Sequence, residues 1–300
     1  MNPVQSLPFL FAIILLLATP DVAAQTSVHT QWQGKQLNAN LVLKDGGKID
    51  DDIILITHGT LGHNAMETIR AFQAALRERG YNSLAITLSL GISNRTGAYD
   101  CSVPHRHRHT GALQEIQVWI DWLKSKGVQS ITLMGHSRGG NQTAWFASEN
   151  KDPALKKVVL LAPMVWNKDR AKTGYEKSNG VPLSEPLEQA TALIKAGRGD
   201  QLMENTGFLY CKNATVSARS FVSYYKPDER FDTPSLLSKI QVPVLVIAGS
   251  EDTIVKGLVE AVRPLADGEK ITLKVIDGAN HFFLDFYAED GADAIDEFSG

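Results

Sequence analysis

Ile131-Thr132-Leu133-Met134-Gly135-His136-Ser137-Arg138-Gly139 is the stretch on which the fold turns. Ile131 to Met134 reads as a buried strand, and Arg138 to Ser148 as a helix. Between them, Gly135 to Gly139 fits G-x-S-x-G, a pattern that carries meaning only in a strand–turn–helix context. A serine at the centre of so tight a turn has a strained backbone, and side chains at the two flanking glycines would strike neighbouring main chain. The turn lifts the hydroxyl above the sheet edge. It also points the helix N-terminus, with its unpaired N–H groups, at whatever sits there. Taken alone, the pentapeptide could still be a chance glycine turn.

Working outward, the same alternation recurs. Ile53 to Ile56 is a continuous apolar run, as expected of a strand covered on both faces. Met66, Ile69, Phe72 and Leu76 follow at helical spacing up to Gly80, with Asn64 and Glu67 resembling a capping box. Leu41 to Leu43, Ser83 to Leu90, Lys157 to Leu161, Val244 to Ile247 and Leu273 to Ile276 read as further strands. Leu113, Ile116, Ile120 and Leu123 mark an amphipathic helix ending near Gly127. Strands and helices in alternation imply an α/β class with a mostly parallel central sheet flanked by helices. The rhythm breaks between about residues 164 and 236, where the chain is more polar and its helices short. This stretch is expected to form a helical cap inserted over the sheet.

Two further segments place titratable groups at strand ends, where open α/β sheets hold ligands. Gly249-Ser250-Glu251-Asp252 follows the strand Val244 to Ile247, and Gly278-Ala279-Asn280-His281 follows the next. Glu251 and Asp277 are rivals to Asp252 as the acid, and Asp285 reads as a surface or helix-start residue. His58-Gly59-Thr60 follows the strand Ile53 to Ile56, with a simple strand-end turn as its bland reading.

These four motifs, in this order, resemble the α/β-hydrolase superfamily over nearly the whole chain from about residue 38. The resemblance implies a catalytic triad of Ser137 as nucleophile, His281 as base and Asp252 as orienting acid. It implies an oxyanion hole made by the backbone N–H groups of Thr60 and Arg138, with His58 holding the loop. The implied reaction is cleavage of a small-molecule carboxylic ester through an acyl-enzyme intermediate, with no metal and no cofactor. An amidase, peptidase or thioesterase could use the same triad, and a catalytically silent binding protein could keep the same fold. Oligomeric state stays open.

Pro104-His105-Arg106-His107-Arg108-His109 stands out. If extended, it puts three histidines on one face and two arginines on the other. It reads as a plain basic loop, as a metal site, or as an electropositive rim in which Arg106 and Arg108, with Arg95, attract an anionic substrate group. Trp166, Phe208, Tyr210, Phe221, Tyr224 and Tyr225 either line a pocket or form the insertion's own small core.

Composition narrows the rest. A net charge of −3 over 300 residues predicts no general attraction to nucleic acid or anionic membranes. Residues 9–18, FLFAIILLLA, are too few to span a bilayer comfortably, and Val22 and Ala24 suit signal-peptidase cleavage after Ala24. No Lys or Arg precedes that run, so an uncleaved anchor is the rival reading. A cleaved signal peptide over 1–24 implies a secreted or periplasmic hydrolase domain over 25–300, without stable membrane association. Cys101 and Cys211 are the only cysteines. Cys101 lies in the loop on the catalytic edge and Cys211 in the insertion over it, so an oxidising compartment favours a disulfide between them.

Overall fold

The computed structural model describes residues 25–300, so the candidate signal segment lies outside the described residues. In chain order the elements begin β1 (Thr26–Trp32), β2 (Lys35–Val42), β3 (Ile53–Thr57), α1 (Glu67–Glu78), β4 (Asn82–Thr87), α2 (Gly111–Ser125), β5 (Ile131–His136), α3 (Arg138–Glu149) and β6 (Leu155–Leu161). They continue with α4 (Lys168–Asn179), α5 (Ser184–Lys195), β7 (Leu202–Phe208), β8 (Cys211–Ser217), α6 (Ala218–Tyr225), α7 (Pro234–Leu237), β9 (Val244–Gly249), α8 (Leu258–Val262), β10 (Ile271–Ile276) and α9 (Phe286–Ser299).

Eight strands form one sheet in the order β1-β2-β4-β3-β5-β6-β9-β10. β1 and β2 are antiparallel to their neighbours, and all the pairings from β4 to β10 are parallel. Parallel strands buried on both faces need apolar side chains at every position, and β3 and β9 are buried throughout. Alternate residues serve opposite layers. Leu55, Leu133, Leu160 and Val246 pack on one side with Trp119 of α2 and Trp145 of α3. Ile56, Met134, Leu161 and Ile247 pack on the other with Phe72 of α1 and Ile295 of α9.

The chain leaves β3 for β4 on one side and then returns to β5 on the other. The switch in strand order therefore falls between β3 and β5, which pair with Thr57 opposite Gly135. A crevice opens at such a point, beyond the strands' carboxyl ends. The loop His58-Gly59-Thr60 and the turn at Ser137 both emerge there.

Between β6 and β9 lies the inserted segment. The sequence predicts a helical cap here, but the segment is mixed: β7 and β8 form an antiparallel hairpin among its helices. The hairpin packs on α5 and α6 around Phe208, Phe221 and Tyr224, a third apolar cluster. His105 bridges to Val216 of β8, which ties this cluster to the loop after β4. Asn64 does not cap α1; Met66 holds the cap position, and the backbone N–H of Asn64 instead donates to Thr87 Oγ1 at 3.1 Å. β1 is a further addition. It is a polar, half-exposed edge strand, without the apolar run by which the inner strands were recognised. No described helix is long and apolar enough to cross a membrane.

Candidate active site

Ser137 sits at the junction of β5 and α3 with φ 57° and ψ −122°, a conformation that L-residues adopt only when the surroundings enforce it. Its N–H donates to Leu161 O at 2.9 Å, and its carbonyl accepts from Met164 N at 3.0 Å. The glycines explain themselves by collision. A Cβ at Gly135 would lie 2.5 Å from Gly139 O and from Thr143 Oγ1, and one at Gly139 would strike the carbonyls of His58 and Thr57. The strand-to-helix turn can close against the β3 loop only with hydrogen at both positions.

Ser137 Oγ lies 2.9 Å from His281 Nε2, and His281 Nδ1 lies 2.7 Å from Asp252 Oδ2. The His281 and Asp252 side chains are only 5% and 4% exposed, so water competes little for their contact. Asp252 Oδ1 also accepts from the backbone N–H groups of Ile254 at 2.8 Å and Val255 at 2.9 Å. Burial pushes the Asp252 carboxyl up, but the bonds from His281, Val255 and Ile254 outweigh it and hold it below its ordinary range. An ionised carboxylate only accepts. His281 therefore carries its proton on Nδ1 and turns the Nε2 lone pair toward the serine hydroxyl. The two rivals lie elsewhere. Glu251 is exposed, and Asp277 is exposed and accepts from Ser250 Oγ at 3.2 Å.

His136, the middle residue of the motif's first half, is buried and donates from Nε2 to the His281 carbonyl at 2.9 Å. Burial, with the nearby His281, lowers it to about 4, so it remains a neutral support for that segment. His58 plays the same part for the β3 loop. Its Nδ1–H donates to Gly59 O at 2.7 Å and its Nε2 accepts from Leu88 N at 3.1 Å. Burial first, then the charge of Arg95, lowers His58 to about 3.

Among the described residues, neither the Thr60 nor the Arg138 backbone N–H has an acceptor. Both stand free at the crevice and are open to an acceptor there. Their side chains meet as well: Arg138 Nε donates to Thr60 Oγ1 at 3.0 Å.

The basic loop sorts differently from the electropositive-rim reading. The alternation holds, with His105, His107 and His109 buried and Arg106 and Arg108 exposed. Arg106 and Arg108 line a cavity of about 380 Å³ beside Trp32, Lys35 and Glu115, which contains neither Ser137 nor Thr60. The structure thus does not bring these two arginines to the serine. Nor does Arg95 face solvent. It is buried and donates to the carbonyls of Leu88, Gly97 and Gly62, bracing the His58 loop.

The histidines engage one another and their neighbours. His105 Nδ1 lies 3.1 Å from His107 Nε2, and His107 Nδ1 lies 2.8 Å from Tyr224 Oη. Among the described residues, no group of three or more His, Cys, Asp or Glu side chains is placed to hold a metal ion.

Cys101 and Cys211 are joined in a disulfide with Cα atoms 5.4 Å apart, which pins the β7–β8 hairpin to the loop after β4. Beneath the hairpin, a cavity of about 330 Å³ starts at Thr60 and Arg138 and runs past Trp166, Tyr210, Tyr224 and Tyr225. The aromatic residues of the insertion therefore divide only in part: Phe208 and Phe221 belong to its core, Trp166 and Tyr210 line the cavity, and Tyr224 and Tyr225 pack against the core while also facing the cavity. Sequence reasoning missed two cationic side chains that line this cavity, those of Arg138 and Arg170.

The fold and this serine–histidine–carboxylate arrangement define the α/β-hydrolase class. The sequence matches the alpha/beta hydrolase family from residue 53 to residue 296, and the chain belongs to that family. No curated protein matches it significantly in sequence. Among solved structures it is similar to Est1E from Butyrivibrio proteoclasticus with ferulic acid bound (20% identity, TM-score 0.64, 91% of this chain and 97% of that one). It is also similar to the Pyrococcus furiosus esterase PF2001 (19% identity, TM-score 0.57, 92% and 90%). A third likeness is to the thioesterase domain from the curacin biosynthetic pathway (17% identity, TM-score 0.56, 92% and 99%). At these identities the likeness concerns the fold.

Proposed function

We propose that the protein is a serine hydrolase that cleaves a small-molecule carboxylic ester through an acyl-enzyme intermediate. The observation that carries this reading is the continuous hydrogen-bond chain from Asp252 through His281 to Ser137. In the proposed reaction His281 Nε2 takes the hydroxyl proton as Ser137 Oγ attacks the ester carbonyl carbon. Asp252 fixes the tautomer and stabilises the imidazolium. The negative oxygen of the tetrahedral intermediate accepts from the N–H groups of Thr60 and Arg138, each such donor being worth on the order of 10²–10³ in rate. His281 then passes its proton to the departing alcohol. Water, deprotonated by the same nitrogen, attacks the acyl-Ser137 ester and restores the free serine. Every step uses protein groups and water alone.

We further propose that the protein acts outside the cytoplasm, secreted or periplasmic. The Cys101–Cys211 bond supports it, since structural disulfides persist where thiols are oxidised. A panel of p-nitrophenyl esters, matching anilides and thioesters tests the reaction: turnover confined to the esters is expected. Faster turnover of the anilides would replace the esterase reading with an amidase one.

A further inference from the structure

The cavity that opens at Thr60 and Arg138 is unusual in its charge. Arg138 and Arg170 are the only charged residues among those lining it, and no Asp or Glu contributes to its wall. Among the described residues neither arginine is in an ion pair. A half-buried cation without a counter-ion is costly, and its usual remedy is a carboxylate close by.

Arg138 is instead held by neutral groups. Nε donates to Thr60 Oγ1 at 3.0 Å, Nη1 lies 3.4 Å from His109 Nδ1, and the guanidinium stands over the Tyr224 ring at 5.4 Å. The support behind it is specific. Asn141 spends its Nδ2 on the carbonyls of Arg230 and Phe231 and on Thr233 Oγ1, so its Oδ1 is free to accept from His109 Nε2 at 3.1 Å. That contact puts the proton of His109 on Nε2 and leaves the Nδ1 lone pair facing Arg138. Burial, and then the Arg138 charge itself, keep His109 neutral far below its ordinary range. Histidine and asparagine thus aim the guanidinium without neutralising it. Arg138 Nη2 has no protein acceptor among the described residues. Arg170, on α4, is fixed by donation from Nη1 to Lys256 O at 2.7 Å and adds a second positive group to the cavity lining.

We infer that this cavity selects esters carrying a carboxylate, with Arg138 and Arg170 as the specificity-determining residues. The inference rests on the serine-hydrolase reading above. Arg138 belongs to both parts of the site, since its N–H stands at the oxyanion position and its side chain enters the cavity. A guanidinium recognises a carboxylate through paired, charge-assisted hydrogen bonds, and the aromatic wall suits the apolar spacer between carboxylate and ester.

The carboxylate could belong to the acyl part or to the alcohol part, and two substrate pairs separate these. One is 4-nitrophenyl hydrogen glutarate against its ketone analogue, 4-nitrophenyl 5-oxohexanoate. The other is 4-carboxyphenyl butyrate against 4-acetylphenyl butyrate. The readout is the ratio of kcat/KM for the charged ester to that for its neutral partner, measured for the wild type, Arg138→Gln and Arg170→Gln. In one pair the ratio should fall by about tenfold or more in Arg138→Gln, the loss expected of a hydrogen bond to a charged group. The fall should be smaller in the exposed Arg170→Gln, and the wild-type ratio should shrink as salt rises. Ratios unchanged by both substitutions in both pairs would overturn the inference. So would equal losses on charged and neutral esters, which would make Arg138 a general support of the site. Labelling of Ser137 by a fluorophosphonate separates the two readings. Labelling with a flat ratio removes the charge selectivity alone, whereas no labelling and no turnover removes the hydrolase reading and this inference with it.

Discussion

Arg138 Nε donates to Thr60 Oγ1 at 3.0 Å, so the two residues whose backbone N–H groups stand free beside Ser137 are tied through their own side chains. One comes from the loop after β3 and the other from the first turn of α3. The bond therefore fixes the spacing of two donors that the sheet alone would leave to two independent loops. Thr60→Val keeps the backbone N–H and the shape of the side chain but removes the acceptor. We expect kcat/KM on a neutral ester to fall by about tenfold, the scale of a hydrogen bond to a charged group. A drop in melting temperature of no more than about 3–6 °C should accompany it, at about 2–4 °C per kcal/mol. Thr60→Ser should restore activity. A Ser variant as poor as the Val variant would show that Oγ1 is not the feature that matters.

Asp252 receives three hydrogen bonds, from His281, Ile254 and Val255, while Asp277 and Glu251 lie exposed. Asp252→Asn should lower kcat by on the order of 10⁴, because an amide can no longer hold the required tautomer. Asp277→Asn and Glu251→Gln should stay within a few-fold of wild type. A larger loss in Asp277→Asn than in Asp252→Asn would move the acid to the next strand.

Five buried histidines set the acid limit of stability. His58 and His107 are lowered to about 3 and His105 and His136 to about 4, each chiefly by burial, and His109 lies well below its ordinary value. In the unfolded chain each titrates near 6.5. Between that value and the folded one, the unfolded state binds protons that the folded state refuses. Stability should therefore be flat above about pH 7 and fall as pH drops from about 6.5 toward 4, by up to about 1.4 kcal/mol per pH unit for each histidine. Urea unfolding across this range checks it. His105→Phe, which keeps a ring against Tyr99 and Phe208, should reduce the slope by about one proton. A stability that stays constant from pH 6.5 to 4.5 would contradict the neutral, buried assignment.

The Cys101–Cys211 bond closes a separation of 110 residues and holds the hairpin whose Leu209 and Tyr210 line the cavity. The chain-entropy account values such a closure at about 4–5 kcal/mol. Cys211→Ser should lower the melting temperature by about 2–4 °C for each kcal/mol lost, and should blunt discrimination among ester acyl chains. Labelling at Ser137 should persist. Loss of labelling would mean that the bond supports the catalytic centre and not just its cover.

The inner strands and the residues at their carboxyl ends were legible because parallel, doubly covered strands write apolar runs such as Ile53 to Ile56, whereas their order in the sheet was not. The turn at Ser137 was legible because its geometry admits glycine alone at Gly135 and Gly139. The hairpin β7–β8 left no such trace. Its bends use Asn205, Leu209 and Asn213 at positive φ, which tertiary packing imposes and no glycine announces. The alternation of residues 105–109 revealed two faces but not which one is inward. Histidines can be the buried face here because they stay neutral and find partners in Tyr224 and Asn141. The side-chain role of Arg138 could not be read locally, since it depends on Thr60, His109 and Asn141, three separate points of the chain.

The central claim is that Ser137 is a nucleophile activated by His281. Intact-mass measurement after exposure to a fluorophosphonate, followed by peptide mapping, tests it most directly. The account predicts one adduct on the wild type, mapped to Ser137, no adduct on Ser137→Ala, and labelling of His281→Ala slowed by several orders of magnitude, on the order of 10⁴. Equal labelling of wild type and Ser137→Ala, or an adduct mapped to another residue, would contradict it.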